Sequence, residues 1–493
     1  MCGLIFAHGP NAAAIVSAGL DKISHRGPDA VRIVDEGDVC MGFVRLSIND
    51  PSDASMQPHE YGALIGMFNA EIYNHMALKK ALPDTDKSGS DTGVILPLFA
   101  QNHEAFLHQL DGFFSGIIYD QERKKLFTIR DPLGKKPLFL VRSGQDLVIT
   151  SALKSCLSVD TFQSLPAGLC VIDLERGALR QIGENPQPRL TNGPSLREAL
   201  KAAVDKRILD APATFAVFLS GGLDSSIIAS LVQRASGAKN ARYFYFDDKN
   251  SEDTKYARRM LDYLQIPQAQ IISVPVPDPQ DMSALIDAVV YHTESYNPSI
   301  VSNGIGTFVL AKCAAEHGIK VALGGDGADE VFCGYFDHSP DENWCAQRRQ
   351  LLTDLHATEL RRIDGAAMAQ GIEVRCPFLD QAVIQISDGF DTEDFYGSAR
   401  TGFQRKKILR DTFSDMLPAE ISQRQKVSFD RGTGIQKHVI QHCMAANLSE
   451  KAFLKRVWQT HFSASLSAHE DDPYFHSYPA FDEFISARAK KYE

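Results

Sequence analysis

The chain lacks most of the features that mark secreted, membrane-spanning or nucleic-acid-binding proteins. Its nine cysteines, at positions 2, 40, 156, 170, 313, 333, 345, 376 and 443, are odd in number, and no two are spaced C-x-x-C. That argues against a disulfide framework or a structural zinc site and suits a reducing compartment. No stretch approaches the roughly 20 apolar residues needed to span a bilayer. The start, MCGLIFAHGP, has no basic region followed by a long apolar one, so no signal peptide is expected. Basic residues are outnumbered, and the formal net charge of -11 disfavours nucleic acid or an acidic membrane as a general partner. A small anion in a local basic pocket remains compatible with it. Internal repeats and low-complexity tracts are also missing. The expectation is a cytoplasmic protein with no nucleic-acid or membrane partner.

What is present points to more than one domain. The chain has 493 residues, 44% hydrophobic and 23% charged, an ordinary globular balance at a length that exceeds one core. Residues 1–183 are dense in short alternating or apolar runs such as CGLIFAH, CMGFVRLSI, ALIGMFNAEIYN and FFSGIIYD. Turn signals such as Asp131-Pro132-Leu133-Gly134 separate them, which predicts a strand-rich domain with a few helices, one over Asp91 to Asn102. Residues 184–195 are polar and proline-containing and read as a linker. The rhythm then changes over 196–493. SLREALKAAVDKRIL is helical, FAVFLSGG is a buried strand ending in a glycine turn, DSSIIASLVQRA is a helix, and ARYFYFD and DTKYARRMLDYLQ repeat the alternation. Strands alternating with helices imply a parallel α/β sheet. From about residue 340 the pattern is mostly helical.

Two constellations carry chemistry. In the first, removal of Met1 would leave Cys2 with both a thiol and a free α-amine. An α-amine titrates near 7.7–8.0, so nucleophile and base would share one residue. A buried structural cysteine is the plain alternative. In the second, Ser220-Gly221-Gly222-Leu223-Asp224-Ser225-Ser226 joins a buried strand to a helix start, where backbone N–H groups and the helix dipole favour phosphate. A loop that grips the γ-phosphate would read GxxxxGK[ST]; here the lysine is absent and an aspartate stands in the loop.

In chain order, His25-Arg26-Gly27-Pro28-Asp29, Arg45-Leu46-Ser47-Ile48, Phe68 through Asn74, Ser90-Asp91-Thr92, Leu110-Asp111-Gly112 and Arg130 through Leu138 resemble the glutaminase domain of the asparagine synthetase B family. The resemblance implies an αββα N-terminal-nucleophile sandwich that releases ammonia from glutamine at Cys2. Arg45, Asn69, Glu71 and Asp91 would bind glutamine: Arg45 as a fork for its carboxylate, Glu71 and Asp91 as acceptors for its ammonium. The Asn69 amide and the Ala70 N–H would serve an oxyanion hole. The family has Gly at the Ala70 position and Glu at Gly93. Without the family context, Arg45 and Asp91 read as a surface ion pair and Asn69 as a turn residue.

The S-G-G-x-D-S string resembles the pyrophosphate loop of the ATP pyrophosphatases, which split ATP between the α and β phosphates. The resemblance implies ATP bound by Leu219, Ser220, Gly221, Gly222, Asp224, Ser225, Ser226, Phe246, Gly324 and Gly325. Leu323 through Tyr335 resembles the family's second acidic loop; Asp224 and Asp329 would hold Mg²⁺. Asp326, where many members have Glu, would orient ammonia and take a proton. Gly371 through Asp380 matches GLEVRVPFLD. Arg424 through Phe429, reached through Lys406-Lys407-Ile408-Leu409-Arg410 and Leu417-Pro418, matches RQKxxF, and Lys426 would neutralise charge as pyrophosphate leaves. The implied activity is glutamine-dependent amidation of a carboxylate through an acyl-adenylate, with aspartate as the expected acceptor and, by analogy, a homodimer. Val301 stands where the family has an arginine near the acceptor, and the tail from 472 only partly matches. Two other readings stay open: the same chemistry on another carboxylate, and an inactive glutamine-binding relative.

Overall fold

The computed structural model describes residues 2–82, 89–184, 193–209, 214–249, 251–335, 344–398 and 402–477. Met1, most of the expected linker (185–192) and the tail beyond 477 lie outside the described residues. The chain divides into two compact units. Unit 1 comprises Met1–Pro186 with Met368–Gly371 and Trp458–Asp472; unit 2 comprises Gln187–Ala367, Ile372–Val457 and Pro473–Glu493.

Among the described residues, unit 1 has twelve strands: β1 (Gly3–His8), β2 (Ala30–Asp35), β3 (Val39–Arg45), β4 (His59–Tyr61), β5 (Leu64–Ile72), β6 (Gly112–Asp120), β7 (Lys125–Arg130), β8 (Phe139–Ser143), β9 (Asp146–Thr150), β10 (Thr161–Ser164), β11 (Gly168–Ile172) and β12 (Leu179–Gly183). They form two sheets, ordered β10-β8-β9-β1-β3-β2 and β12-β11-β7-β6-β5-β4, with antiparallel pairing throughout. The apolar runs are continuous because the strands are covered on both faces. Leu4 and Phe6 of β1 meet Met67 of β5 and Ile117 of β6 in a core between the sheets. Residues of the other parity, Phe68 and Ile72 of β5 and Phe114 and Ile118 of β6, pack on the helix Ile95–Asn102. The helix Ala12–Ile23 covers the first sheet, so closely that a Cβ on Gly42 of β3 would come within 2.5 Å of Val16. This is the helix–sheet–sheet–helix order of an N-terminal-nucleophile sandwich.

The Arg130–Leu138 motif is a brace in this unit. Arg130 donates to the carbonyls of Gly134, Lys136 and Leu165. Asp131 accepts from the N–H groups of Phe114, Leu133 and Lys135. Gly27, in the His25–Asp29 turn, has no room for a side chain: a Cβ would lie 2.3 Å from the Val44 carbonyl carbon.

Unit 2 contains a parallel sheet of β13 (Phe215–Phe218), β14 (Ala241–Asp247), β15 (Ile271–Pro275), β16 (Val321–Leu323) and β17 (Glu373–Arg375). Its order is β15-β14-β13-β16-β17. The order runs outward from β13 in one direction and resumes at β16 in the other. The loops after β13 and β16 therefore leave neighbouring strands at the topological switch point, where sheets of this kind bind ligands. The helical stretch expected from residue 340 onward is interrupted by β17, which arises inside the Gly371–Asp380 motif.

That motif also anchors the helix Leu196–Leu209. The fully buried Arg375 donates to Glu373 and to the Arg207 carbonyl. Arg207, itself buried, pairs with Asp380 at 2.8 Å, and Lys206 pairs with the same carboxylate at 2.7 Å. Burial pushes the Asp380 carboxyl up, but the two cations overcome it and hold it well below the usual carboxylate range. Removing Arg207 would leave the buried Asp380 carboxylate with Lys206 alone opposite it. Arg207→Met should therefore destabilise the protein, by less than the about 3–5 kcal/mol of a fully unpaired buried charge, seen as a lower urea midpoint for unfolding of the parallel-sheet unit.

Candidate active sites

Each unit carries one of the two constellations. In unit 1, Cys2 precedes β1, and its backbone nitrogen donates to Asn69 Oδ1 at 3.1 Å. Arg26 Nε donates to the Cys2 carbonyl at 3.2 Å. The Cys2 Sγ lies 4.0 Å from the Leu46 carbonyl oxygen. Asn69 belongs to the β5 residues that face between the sheets, and its side chain is fully buried. With Oδ1 committed to Cys2, its Nδ2 is left without a hydrogen-bond acceptor. A buried amide N–H with no acceptor is costly unless it serves a purpose, and it stands beside the thiol-bearing residue.

The direction of the Ala70 N–H follows from strand periodicity. Phe68 N–H goes to Gln57 Oε1 at 2.6 Å, and Ile72 N–H goes to Asp91 Oδ2 at 2.8 Å. Both point away from β6, which pairs with β5 on its other side. Ala70 lies midway at a period of two, so its N–H points to the same open edge. An alanine keeps this donor as well as a glycine would.

Glu71 Oε1 accepts from Asn49 Nδ2 at 2.7 Å. Arg45 is buried, and its two terminal nitrogens donate to the Ser52 carbonyl at 2.8 Å and to the Asp50 carbonyl. Each terminal nitrogen carries a second hydrogen for another acceptor. The segment Leu46–Ser52 thus touches Cys2, Glu71 and Arg45 in turn. Asp50 stiffens it: the Ser55 hydroxyl, then the Ser52 N–H, hold its carboxyl well below the usual range. Sequence reasoning did not single out Asn49 or Asp50; the only signal was the turn-forming run Asn49-Asp50-Pro51-Ser52.

In unit 2, Leu219 continues the strand ladder through its N–H to the Phe244 carbonyl. The loop then turns through Ser220, Gly221 and Gly222 into the helix Leu223–Gln233. The Ser220 and Ser225 hydroxyls lie 3.0 Å apart across the turn. Gly221 is left-handed, with φ of 72°, and a Cβ there would sit 2.4 Å from the Ala257 nitrogen. Gly325, in the loop after β16, touches the first loop directly: a Cβ would lie 2.7 Å from the Ser225 nitrogen. Phe246, at the end of β14, packs against Phe429, centroids 5.8 Å apart. The Ser226 hydroxyl is buried and has no partner.

This contact of the two loops brings their acids together. Lys406 Nζ lies 2.7 Å from Asp224 Oδ2 and 2.6 Å from Asp329 Oδ1. Lys426 Nζ lies 2.7 Å from Asp329 Oδ2. Burial pushes the Asp329 carboxyl up, yet Lys406 and then Lys426 hold it well below the usual range. Burial would likewise lower the Lys426 ammonium, but Asp329 and Asp224 raise it above its ordinary value. Asp224 Oδ1 is buried and has no hydrogen-bond partner. Arg410 fixes both lysines from behind, donating to the carbonyls of Arg405, Ser422 and Arg424. Neither Lys406 nor Arg410 was singled out from the sequence as a site residue.

Asp326 stands to one side of this quartet. Its Oδ1 accepts from Arg362 at 2.8 Å, and Arg362 also donates to Glu359 and Thr307. Val301 is buried on the same helix as Thr307, Pro298–Glu316. Behind the acidic loop, Glu330 accepts from the Tyr335 hydroxyl at 2.5 Å. Burial first, then Glu359 and Asp329, push its carboxyl up to about 8. The folded protein thus binds this proton more tightly than the unfolded chain, and the stability it gives is lost as pH rises from about 5 to 8. Glu330→Gln, which mimics the neutral form, should flatten the decline in stability over that range. An unchanged slope would show that Glu330 does not hold this proton.

Comparison with known proteins accords with this division. The model of a glutamine amidotransferase domain matches residues 1–168, and that of asparagine synthase matches residues 195–351 and 344–485. The chain is 32% identical over 440 residues to asparagine synthetase [glutamine-hydrolyzing] of Sandersonia aurantiaca, covering 84% of this chain and 82% of that one. It is 31% identical to the corresponding proteins of Lotus japonicus and Asparagus officinalis, each over 85% of this chain and 76% of theirs.

Proposed function

The chain belongs to the asparagine synthase family, and on that premise we propose that it is a glutamine-dependent, ATP-consuming carbon–nitrogen ligase. The observation that carries the reading is the meeting of Asp224 and Asp329 at the switch point of a parallel sheet, with Lys406 and Lys426 upon them. A glycine loop that lacks the lysine of γ-phosphate grips but presents an acid suits cleavage between the α and β phosphates.

In unit 1, Cys2 attacks the side-chain amide of glutamine, its α-amine taking the thiol proton once Met1 is removed. The oxyanion is stabilised by Asn69 Nδ2, which has no other acceptor, and by the Ala70 N–H, which points to the open edge of β5. Ammonia leaves, and water releases glutamate from the thioester. Arg45 binds the carboxylate of glutamine through its second set of hydrogens, and Glu71 and Asp91 accept from its ammonium.

In unit 2, the acceptor carboxylate attacks the α-phosphorus of ATP, forming an acyl-adenylate and expelling pyrophosphate. Ammonia then attacks the acyl carbon, giving the amide and AMP. Lys426 balances charge on the departing pyrophosphate. Asp326, steadied by Arg362, accepts a proton from the incoming ammonia. The acceptor we propose is aspartate, giving asparagine, with the enzyme working in the cytoplasm as a homodimer.

The four charges Asp224, Asp329, Lys406 and Lys426 cancel, so the phosphates need a further cation. Asp224 and Asp329 fit Mg²⁺: they offer hard carboxylate oxygens, and Asp224 Oδ1 has no other partner. Bound there, Mg²⁺ would offset phosphate charge as the α–β bond breaks.

The two sites should be separable. Cys2→Ala should abolish glutamate release from glutamine while leaving aspartate-dependent pyrophosphate release with ammonium salts intact. Asp224→Asn should do the reverse, cutting synthesis by about a hundredfold or more with glutaminase activity retained. Loss of ammonia-dependent synthesis in Cys2→Ala would contradict the division.

A further inference from the structure

Lys406 is held more firmly than its place among surface-type residues would require. Its side chain is 3% exposed and its ammonium bridges carboxylates from two different loops. Its backbone is left-handed, with φ of 55°, a conformation that residues with a side chain adopt at a cost. Gly334 leaves the path open: a Cβ there would sit 2.0 Å from both Lys406 Cε and Asp329 Oδ1. Arg410 holds the carbonyl of the preceding residue, Arg405. Backbone, packing and hydrogen bonds all aim one ammonium at one point.

That point lies between two carboxylate oxygens, the position a hard divalent cation would take. Among the described residues no cluster of three or more His, Cys, Asp or Glu side chains could hold a metal ion. Two carboxylates alone bind Mg²⁺-like ions weakly, and such ions normally complete their shell with water and substrate phosphates. An ammonium already in place makes binding without nucleotide weaker still, because the incoming cation must displace it or be repelled by it.

We propose that Lys406 is a resident counter-cation: in the nucleotide-free protein its ammonium stands in for the divalent ion between Asp224 and Asp329, so that metal enters the site only together with nucleotide. The inference rests on the ATP reading above and adds an order of binding to it. Incoming phosphates supply the acceptors to which the displaced ammonium turns. Until then Lys406 keeps two acids from repelling each other and holds the two loops in register.

The test uses Mn²⁺ with the full-length chain, read by electron paramagnetic resonance of free Mn²⁺ and by thermal unfolding, with and without α,β-methylene-ATP. Without nucleotide, wild type should bind Mn²⁺ weakly and show no rise in melting temperature. Lys406→Met should bind it about tenfold more tightly or better and gain thermal stability on adding it. Lys406→Gln, which can still hydrogen-bond both carboxylates, should show the same gain and serves if the methionine variant does not fold. Lys406→Arg should behave as wild type. Nucleotide-free Mn²⁺ binding that is equal in wild type and the neutral variants would overturn the proposal. Failure of wild type to bind Mn²⁺ even with the analogue would count against the ATP reading instead, and the nucleotide-free comparison would still decide the role of Lys406.

Discussion

Asp224 and Asp329 leave adjacent parallel strands on loops that touch through Gly325, and the contact forces two carboxylates close together. Uncompensated, the pair would repel by several kcal/mol in so buried a place. Lys406 and Lys426 remove that penalty, and much of unit 2 is arranged to deliver them. Arg410 ties down carbonyls just before each lysine, those of Arg405, Ser422 and Arg424. Gly334 vacates the path of Lys406, and the left-handed backbone at 406 turns it inward. The helix Leu196–Leu209 and strand β17 are held in turn by the buried Arg207, Arg375 and Asp380.

Unit 1 solves a different electrostatic problem by a different means. Beside Cys2 the buried Arg26 donates to the backbone carbonyl, and the donors placed to meet a developing oxyanion are backbone and amide dipoles. Asn69 spends its oxygen on Cys2 and keeps its N–H₂ uncommitted. The β5 edge offers N–H groups at a period of two, and Gln57 and Asp91 take those on either side of Ala70. Such donors need no reorganisation as an oxyanion forms, which is what makes preorganised dipoles effective. One unit is thus suited to charge that appears during a reaction, and the other to charge that arrives with a substrate.

Much of the architecture was legible in the sequence because burial on both faces of a strand leaves an unbroken apolar run. CGLIFAH, ALIGMFNAEI and FAVF are strands for that reason. Strand β17 was not, since three residues, Glu373 to Arg375, two of them charged, give no such run. The charges are satisfied by one another and by the Arg207 carbonyl, which no local pattern reveals. At the second site, the glycine loops and acids stood out because phosphate chemistry requires those residue types at fixed spacing. Lys406 did not: it lies 182 positions from Asp224, beside another lysine, and only the folded chain distinguishes the two. Lys407 pairs locally with Asp411, whereas Lys406 turns inward. Asp326 was read as a residue facing ammonia; its partner Arg362 emerged only from the fold.

In the proposed reaction the acceptor carboxylate is activated by attack on the α-phosphorus. The most direct test of this is to supply aspartate labelled with ¹⁸O in the side-chain carboxylate and follow the products by ³¹P nuclear magnetic resonance. Attack at the α-phosphorus should give pyrophosphate without label and AMP carrying one ¹⁸O, shifted upfield from unlabelled AMP. Label in inorganic phosphate, with ADP as the nucleotide product, would contradict it.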